Sequence, residues 1–268
     1  MTRPELNYSE IDAVAQAMAD AARSAILPHF RAQTLAAENK LVSGFDPVTE
    51  ADRAAERAMR DILRDQRPHD AILGEEYGAA SGTSGLTWVL DPIDGTRGFV
   101  SGTPTWGVLI AVSDASGPRY GLIDQPYIGE RFVGLGNVAH VQGPLGKSTL
   151  KTRAPRALSE ATVFTTFPEV GTEEEGKAFH AVASQARLTR YGMDCYAYAL
   201  LAAGQVDLVI EAGLQSYDIQ APIAVVEAAG GIVTDWSGHP AHDGGRAVAA
   251  ANADIHKQAL SILERHLA

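Results

Sequence analysis

The order of apolar and polar residues divides the chain into helical and extended stretches. From Ser9, a residue type that caps helices, Ile11, Val14, Met18, Ala22, Ile26 and Phe30 recur at steps of three or four, which predicts an amphipathic helix. The periodicity fails between Leu35 and Asp46, where Gly44 and then Pro47 punctuate the chain, and a mobile loop is expected there. Helical spacing resumes after Thr49 with Ala51, Ala55, Met59, Ile62 and Leu63. Two short apolar runs, 71–73 and 88–90, each end in acid: Gly74-Glu75-Glu76 and Asp91-Pro92-Ile93-Asp94. A Gly/Ser/Thr loop, 81–87, separates them. Runs at 106–112, 120–124 and 131–135, broken by Gly, Pro and Asn, predict a meandering sheet.

Residues 143–156 are basic and turn-rich. They suggest a boundary between an N-terminal half, 1–145, and a C-terminal half, 146–268, within one compact unit; a solvated surface loop would have the same composition. Beyond it, strands are expected at 161–167, 207–211, 232–236 and 247–251, and helices at 173–186, 195–203, 219–229 and 254–267. Gly230-Gly231 is a helix-terminating pair. This order of elements predicts an α/β (α+β) fold of layered sheets and helices.

Charge narrows the function. Lys and Arg number 22 against 33 Asp and Glu, a net charge of −11, which disfavours nucleic-acid and anionic-membrane partners because both require a basic field. An anionic substrate stays open, since a bound metal inverts the local sign. The lone cysteine, Cys195, excludes an internal disulfide, a cysteine zinc site and an iron–sulfur cluster. Residues 1–6 lack the apolar core of a signal peptide, and no apolar run approaches the ~18 residues of a membrane span. A soluble, cytoplasmic protein is the expectation.

The most informative segment is Trp88-Val89-Leu90-Asp91-Pro92-Ile93-Asp94-Gly95-Thr96. An apolar strand delivers two carboxylates into a turn, and Gly95 and Thr96 offer amides suited to an anion. A divalent cation lets carboxylates and an anion site coexist, and hard oxygen ligands suit Mg²⁺. An Asp-rich β-turn would use the same residues. Three more acidic groups lie at element ends: Glu75-Glu76, Glu50 with Asp52, and Tyr217-Asp218. Helix capping accounts for Asp52 and Asp218 taken singly; four such groups together form a constellation.

Gly74-Glu75-Glu76, the Asp91–Thr96 turn, and Tyr217-Asp218 followed by Ala228-Ala229-Gly230-Gly231 resemble the inositol monophosphatase superfamily of magnesium-dependent, lithium-sensitive phosphatases. The resemblance runs from Asp52 to the final helix. It implies a layered αβαβα sandwich, a homodimer, and a site for two or three Mg²⁺ held by Glu75, Asp91, Asp94, Asp218 and the carbonyl of Ile93. It also implies that Asp52, Glu75 and Thr96 activate the attacking water, and that Gly95 and Thr96 amides receive the phosphate. The family usually has Trp-Asp where this chain has Tyr217-Asp218; the carboxylate is unchanged.

Gly192-Met193-Asp194-Cys195-Tyr196-Ala197-Tyr198, the run 207–211 and the stretch 96–102 look like the histidinol-phosphate phosphatase branch. Histidinol phosphate carries an ammonium and an imidazole, which Asp194 and Glu211 could pair with, although polyol-using relatives share Glu211 and it discriminates little; Gly192 joins them as a substrate-segment residue. Capping of the helix from Cys195 is the competing account of Asp194. Inositol phosphates or other small phosphate esters are the alternative substrates, and a metal-binding scaffold the non-enzymatic alternative. Gly143 to Ser148 has only two residues between its glycines where a phosphate loop needs four, and His239 with His242 reads as a solvated turn. Cys195 is expected to pack beside the site, and Trp106 and Tyr196 either wall the pocket or fill the core.

Overall fold

Apolar residues on both faces of most strands dictate the architecture, because every sheet face has to be covered. The computed structural model describes residues 6–33, 37–39 and 47–267. The loop expected over 35–46 lies mostly outside them; the described parts around it, β1 (Ala37–Asn39) and β2 (Pro47–Thr49), pair antiparallel. Helix α1 (Tyr8–Ile26) begins two residues earlier than Ser9 suggests, because the Asn7 side chain accepts the Glu10 amide at 3.3 Å. It ends just before Leu27-Pro28: Leu27 keeps helical angles (φ −56°, ψ −34°) and its amide still bonds the Arg23 carbonyl, but Pro28 has no N–H to carry the ladder on. Helix α2 (Glu50–Gln66) starts at the expected Thr49.

The meander is present: β5 (Thr87–Asp94), β6 (Gly107–Asp114), β7 (Gly117–Gln125), β8 (Glu130–Leu135), β9 (Val138–Gly143) and β10 (Gly146–Thr149) are successive antiparallel neighbours. β3 (Ala71–Gly74) runs parallel to β5, and β4 (Gly78–Ala80) closes the edge of this eight-stranded sheet. The β9–β10 hairpin occupies the start of the basic stretch, so the 145/146 boundary falls in its turn, at the fully exposed Leu145. A second, five-stranded sheet has the order β12 (Leu188–Tyr191), β11 (Thr162–Thr165), β13 (Leu208–Leu214), β15 (Gly245–Ala250) and β14 (Ile232–Thr234).

Alternation along the strands sorts the core into layers. Trp88, Leu90, Val108 and Ile110 pack with α1 and α2, whereas Val89, Leu109 and Ala111 face the other way. There they meet α5 (Tyr196–Ala202) and α6 (Ser216–Ala228), which also cover Val209, Ala247 and Ala249 of the second sheet. Leu208, Ile210 and Val248 point outward to α4 (Glu173–Ala183) and α7 (Ala253–Leu267). The order is therefore helix, sheet, helix, sheet, helix. Helix α6 is apolar nearly all round, from Ile219 to Val226, because it is sandwiched between two sheets. Strands β4, β9, β10 and β12 escape sequence reading: they are short or only partly buried, and lie at or near sheet edges.

Candidate active site

Asp91 and Asp94 are three apart, and on a regular strand they would point to opposite faces. The β5–β6 register shifts between them: Asp91 faces Leu109 and Asp94 faces Gly107, so β5 carries one extra residue. Pro92 has no N–H to lose from the ladder, which suits it to this bulge. The extra residue brings both carboxylates to one side. Asp91 Oδ1 accepts the Ile93 amide at 3.0 Å, and the Thr96 hydroxyl donates to the Ile93 carbonyl at 3.0 Å. The chain then turns at Gly95 (φ +82°) into α3 (Thr96–Ser101). A Cβ at Gly95 would lie 2.6 Å from Asp194 Cγ, so both the conformation and the space there require glycine.

Asp218 arrives from the start of α6. Its Oδ2 accepts the Gln215 amide at 2.7 Å in a capping box, and it also meets the turn: carboxylate oxygens of Asp91, Asp94 and Asp218 lie within 4.8 Å of one another. Burial pushes Asp91 well above the usual carboxylate range, and Glu75, Asp94 and Asp218 push it further. Asp94 is raised by burial, then by Asp194 and Asp218, although the Cys195 amide donates to it at 2.6 Å. Buried carboxylates massed like this are stable only with protons or a cation between them. Hard oxygen donors at this spacing fit a divalent cation of the Mg²⁺ type.

These acids line a cavity of about 440 Å³ together with Glu75, Ile93, Gly95 and Thr96. Its wall continues through Asp194, Cys195, Tyr198 and Glu211. Asp194 adopts a left-handed backbone (φ +47°), which Asp tolerates better than most residues. Its carboxylate does not cap α5; it accepts the Thr105 hydroxyl at 3.0 Å and packs on Gly95 and Gly98. Glu211 accepts the Thr166 amide at 2.8 Å and hydroxyl at 2.9 Å, yet burial lifts it to about 8. The Tyr198 hydroxyl is buried and has no partner among the described residues. Burial raises the Cys195 thiol well above its usual range, which keeps it unreactive beside the site.

Two expected site residues sit elsewhere. Asp52 does not line the cavity; it is fully buried at the start of α2, where its Oδ2 accepts the Thr49 amide at 2.8 Å and hydroxyl at 2.5 Å. Its Oδ1 has no partner among the described residues, and burial lifts the group to about 6. Gly192 is exposed and outside the lining; its amide ties the end of β12 to the carbonyls of Thr165 and Thr166. Trp106 packs in the core against Phe99, and Tyr196 donates to Glu130 at 2.7 Å, so neither lines the cavity. Sequence reading missed Tyr198, the supporting Thr105 and Thr166, and Arg97 over Phe167 at the cavity wall, 4.8 Å from ring centre. Of these, Tyr198 in Asp-Cys-Tyr-x-Tyr and Arg97 in the stretch 96–102 carried a signal, through the resemblance; the two threonines carried none.

The sequence profile of the Inositol monophosphatase family matches residues 7–268. The chain belongs to this family. The "Bifunctional phosphatase IMPL2, chloroplastic" of Arabidopsis thaliana is 42% identical, covering 98% of this chain and 78% of its own. A histidinol-phosphatase of Streptomyces coelicolor is 35% identical over 94% and 96%. Among solved structures, an inositol monophosphatase from Zymomonas mobilis superposes with a TM-score of 0.84 at 39% identity, covering 97% of this chain and all of that one. The expected fold is thereby matched, and the chain is a phosphatase of small phosphorylated substrates. No helix of the described residues is long and apolar enough to cross a membrane.

Proposed function

We propose that this member of the inositol monophosphatase family is a Mg²⁺-dependent histidinol-phosphatase, releasing phosphate and L-histidinol. The observation that carries this reading is the pair of carboxyls, half-buried Asp194 and buried Glu211, on the wall of the cavity that holds Asp91, Asp94 and Asp218. Such groups favour a cationic ammonium or imidazolium over a neutral polyol. The Tyr198 hydroxyl adds a donor with no partner of its own.

Glu75, Asp91, Asp94, Asp218 and the Ile93 carbonyl would hold two or three Mg²⁺. When bound, these ions would supply positive charge to the phosphoryl oxygens, the attacking water and the leaving oxygen. Gly95 and Thr96 amides receive the phosphate at the start of α3. Thr96, fixed by its bond to the Ile93 carbonyl, presents its hydroxyl oxygen to the water. Glu75, on the cavity wall, takes up the proton of that water; Asp52, which lies outside the lining, assists by relay and not by direct contact. Burial holds Asp52 near 6, close to where a general base works best, and its Oδ1 has no partner among the described residues. Asp194 and Glu211 orient the leaving portion. We also read the protein as a lithium-sensitive homodimer, as the family resemblance implies, and as cytoplasmic, from the pattern of its apolar runs; light scattering of the purified chain tests the dimer.

The decisive experiment measures phosphate release from histidinol phosphate and inositol 1-phosphate side by side, with Mg²⁺ and with chelator. Chelator-sensitive turnover favouring histidinol phosphate is expected. Preference for the inositol ester would overturn the assignment of Asp194 and Glu211 while keeping the metal-binding residues. Mg²⁺ binding without turnover of either ester or of a wider phosphate-ester panel would favour a scaffold.

A further inference from the structure

We propose that Glu56 is a positioning residue that sets the geometry of the Glu75-Glu76 turn for metal binding; this rests on the metal-dependent phosphatase reading. Glu56 lies on α2 one helical turn beyond Asp52, and both side chains are fully buried. The remaining buried residues of this helix, Ala51, Ala55, Met59 and Leu63, are apolar and pack in the core. A buried carboxylate costs free energy unless its oxygens are satisfied. Three donors converge on Glu56: the Glu76 amide on Oε2 at 2.7 Å, and the Tyr77 amide at 3.2 Å and Arg60 Nε at 2.7 Å on Oε1.

Two of these donors belong to the backbone of the turn that carries Glu75. Strand β3 ends at Gly74. A Cβ there would lie 2.0 Å from Glu56 Oε1 and 2.8 Å from Arg60 Nη2, so the glycine is the space into which the carboxylate fits. The same helix face holds the next residue: Arg57 Nη1 donates to the Tyr77 hydroxyl at 2.6 Å, and Arg60 lies 5.9 Å over its ring. One face of α2 thus carries Asp52 and grips the turn bearing Glu75 and Glu76. The spacing of Asp52 and Glu56 on a rigid helix then fixes where Glu75 stands relative to Asp52. Gly74 has its reason here as well, since it leaves room for a carboxylate from another element.

Two substitutions separate positioning from general stabilisation. Glu56→Gln replaces one acceptor by a donor facing an N–H, at constant size. Gly74→Ala evicts the carboxylate while leaving Glu56 itself intact. Calorimetric titration of metal-stripped protein with Mg²⁺, alongside steady-state kinetics, is the measurement. Each variant is expected to weaken Mg²⁺ binding by about 10- to 100-fold, the usual cost of removing a group that orients a metal-binding side chain, with kcat falling and KM for the phosphate ester held. The double variant is expected to be no worse than the single ones, because both act through one contact. Variants that melt lower but bind Mg²⁺ like the parent protein would overturn the proposal and leave Glu56 a structural residue. If both fail to fold, Arg60→Gln, which removes one donor to Glu56 from the helix surface, replaces them; unchanged Mg²⁺ binding in it overturns the proposal equally. A parent protein that binds no Mg²⁺ would overturn the Mg²⁺-dependent reading and this inference with it.

Discussion

Helices α2 and α4 begin with the same device and put it to different ends. Thr49 with Asp52, and Thr172 with Glu175, are capping boxes in which each side chain serves the other residue's backbone. At α4 the acid also has a cation: Arg246 Nε donates to Glu175 Oε1 at 2.6 Å. Although burial works against it, the bonds from Thr172 and Arg246 hold Glu175 below its ordinary value. At α2 no cation among the described residues bonds to Asp52 and none of them partners its Oδ1; Glu76 lies nearby, and burial lifts the group to about 6. Helix α6 repeats the arrangement with Asp218, which caps Gln215 and also joins Asp91 and Asp94. Capping is therefore a correct account of all three acids, and a complete one only for Glu175. What separates them is the charge that the rest of the fold brings to the carboxylate.

That contrast can be broken or sharpened by substitution. The largest effect is expected from Asp94→Asn: turnover is lost while the melting temperature is kept, and near-normal kcat would remove Asp94 from the metal-binding set. Asp52→Asn should lower kcat by about 100-fold or more, the range for a misplaced general base, whereas Glu175→Gln should leave kcat unchanged. Asp194→Ala is expected to raise KM for histidinol phosphate by roughly tenfold, as befits one lost charge-assisted bond, and to affect inositol 1-phosphate much less. Equal losses on the two esters would exclude Asp194 from selectivity.

Smaller effects concern stability. Thr49→Ala and Thr172→Ala should each cost about 1 kcal/mol in denaturant unfolding, but only Thr49→Ala should also lower kcat. For pH, Glu211 is raised by burial from 4.5 to about 8 in the folded state. The folded protein holds that proton more tightly than the unfolded chain, so stability from this group is complete below about 4.5 and is lost as pH rises to about 8. The metal-free parent protein should lose stability across that window relative to Glu211→Gln. Parallel pH profiles for the two would contradict the assigned environment of Glu211.

How far the site was legible depended on whether its residues are contiguous. The Asp91–Thr96 turn could be read because one segment carries its carboxylates, its proline and its glycine. Asp194 and Glu211 were legible through the resemblance, but not the threonines that hold them, because Thr105 lies 89 residues from Asp194 and Thr166 lies 45 from Glu211. Gly192 belongs to the same segment as Asp194 yet points its amide back at β11, a choice made by strand pairing. Strand β12 was missed because its pairing with β11, and not its own alternation, makes it a strand.

Local order determined the longer helices, the core strands and the acids at the element ends, since periodicity, caps and turn chemistry act over a few residues. Tertiary structure decided which of those acids meet. The β5 bulge, the close approach of Asp194 to Gly95 and the grip of Glu56 on the Glu75 turn all depend on backbones brought together from distant parts of the chain. Burial is likewise a property of the assembled layers, and burial is what lifts the carboxyls of Asp52, Asp91, Asp94 and Glu211 above their ordinary range.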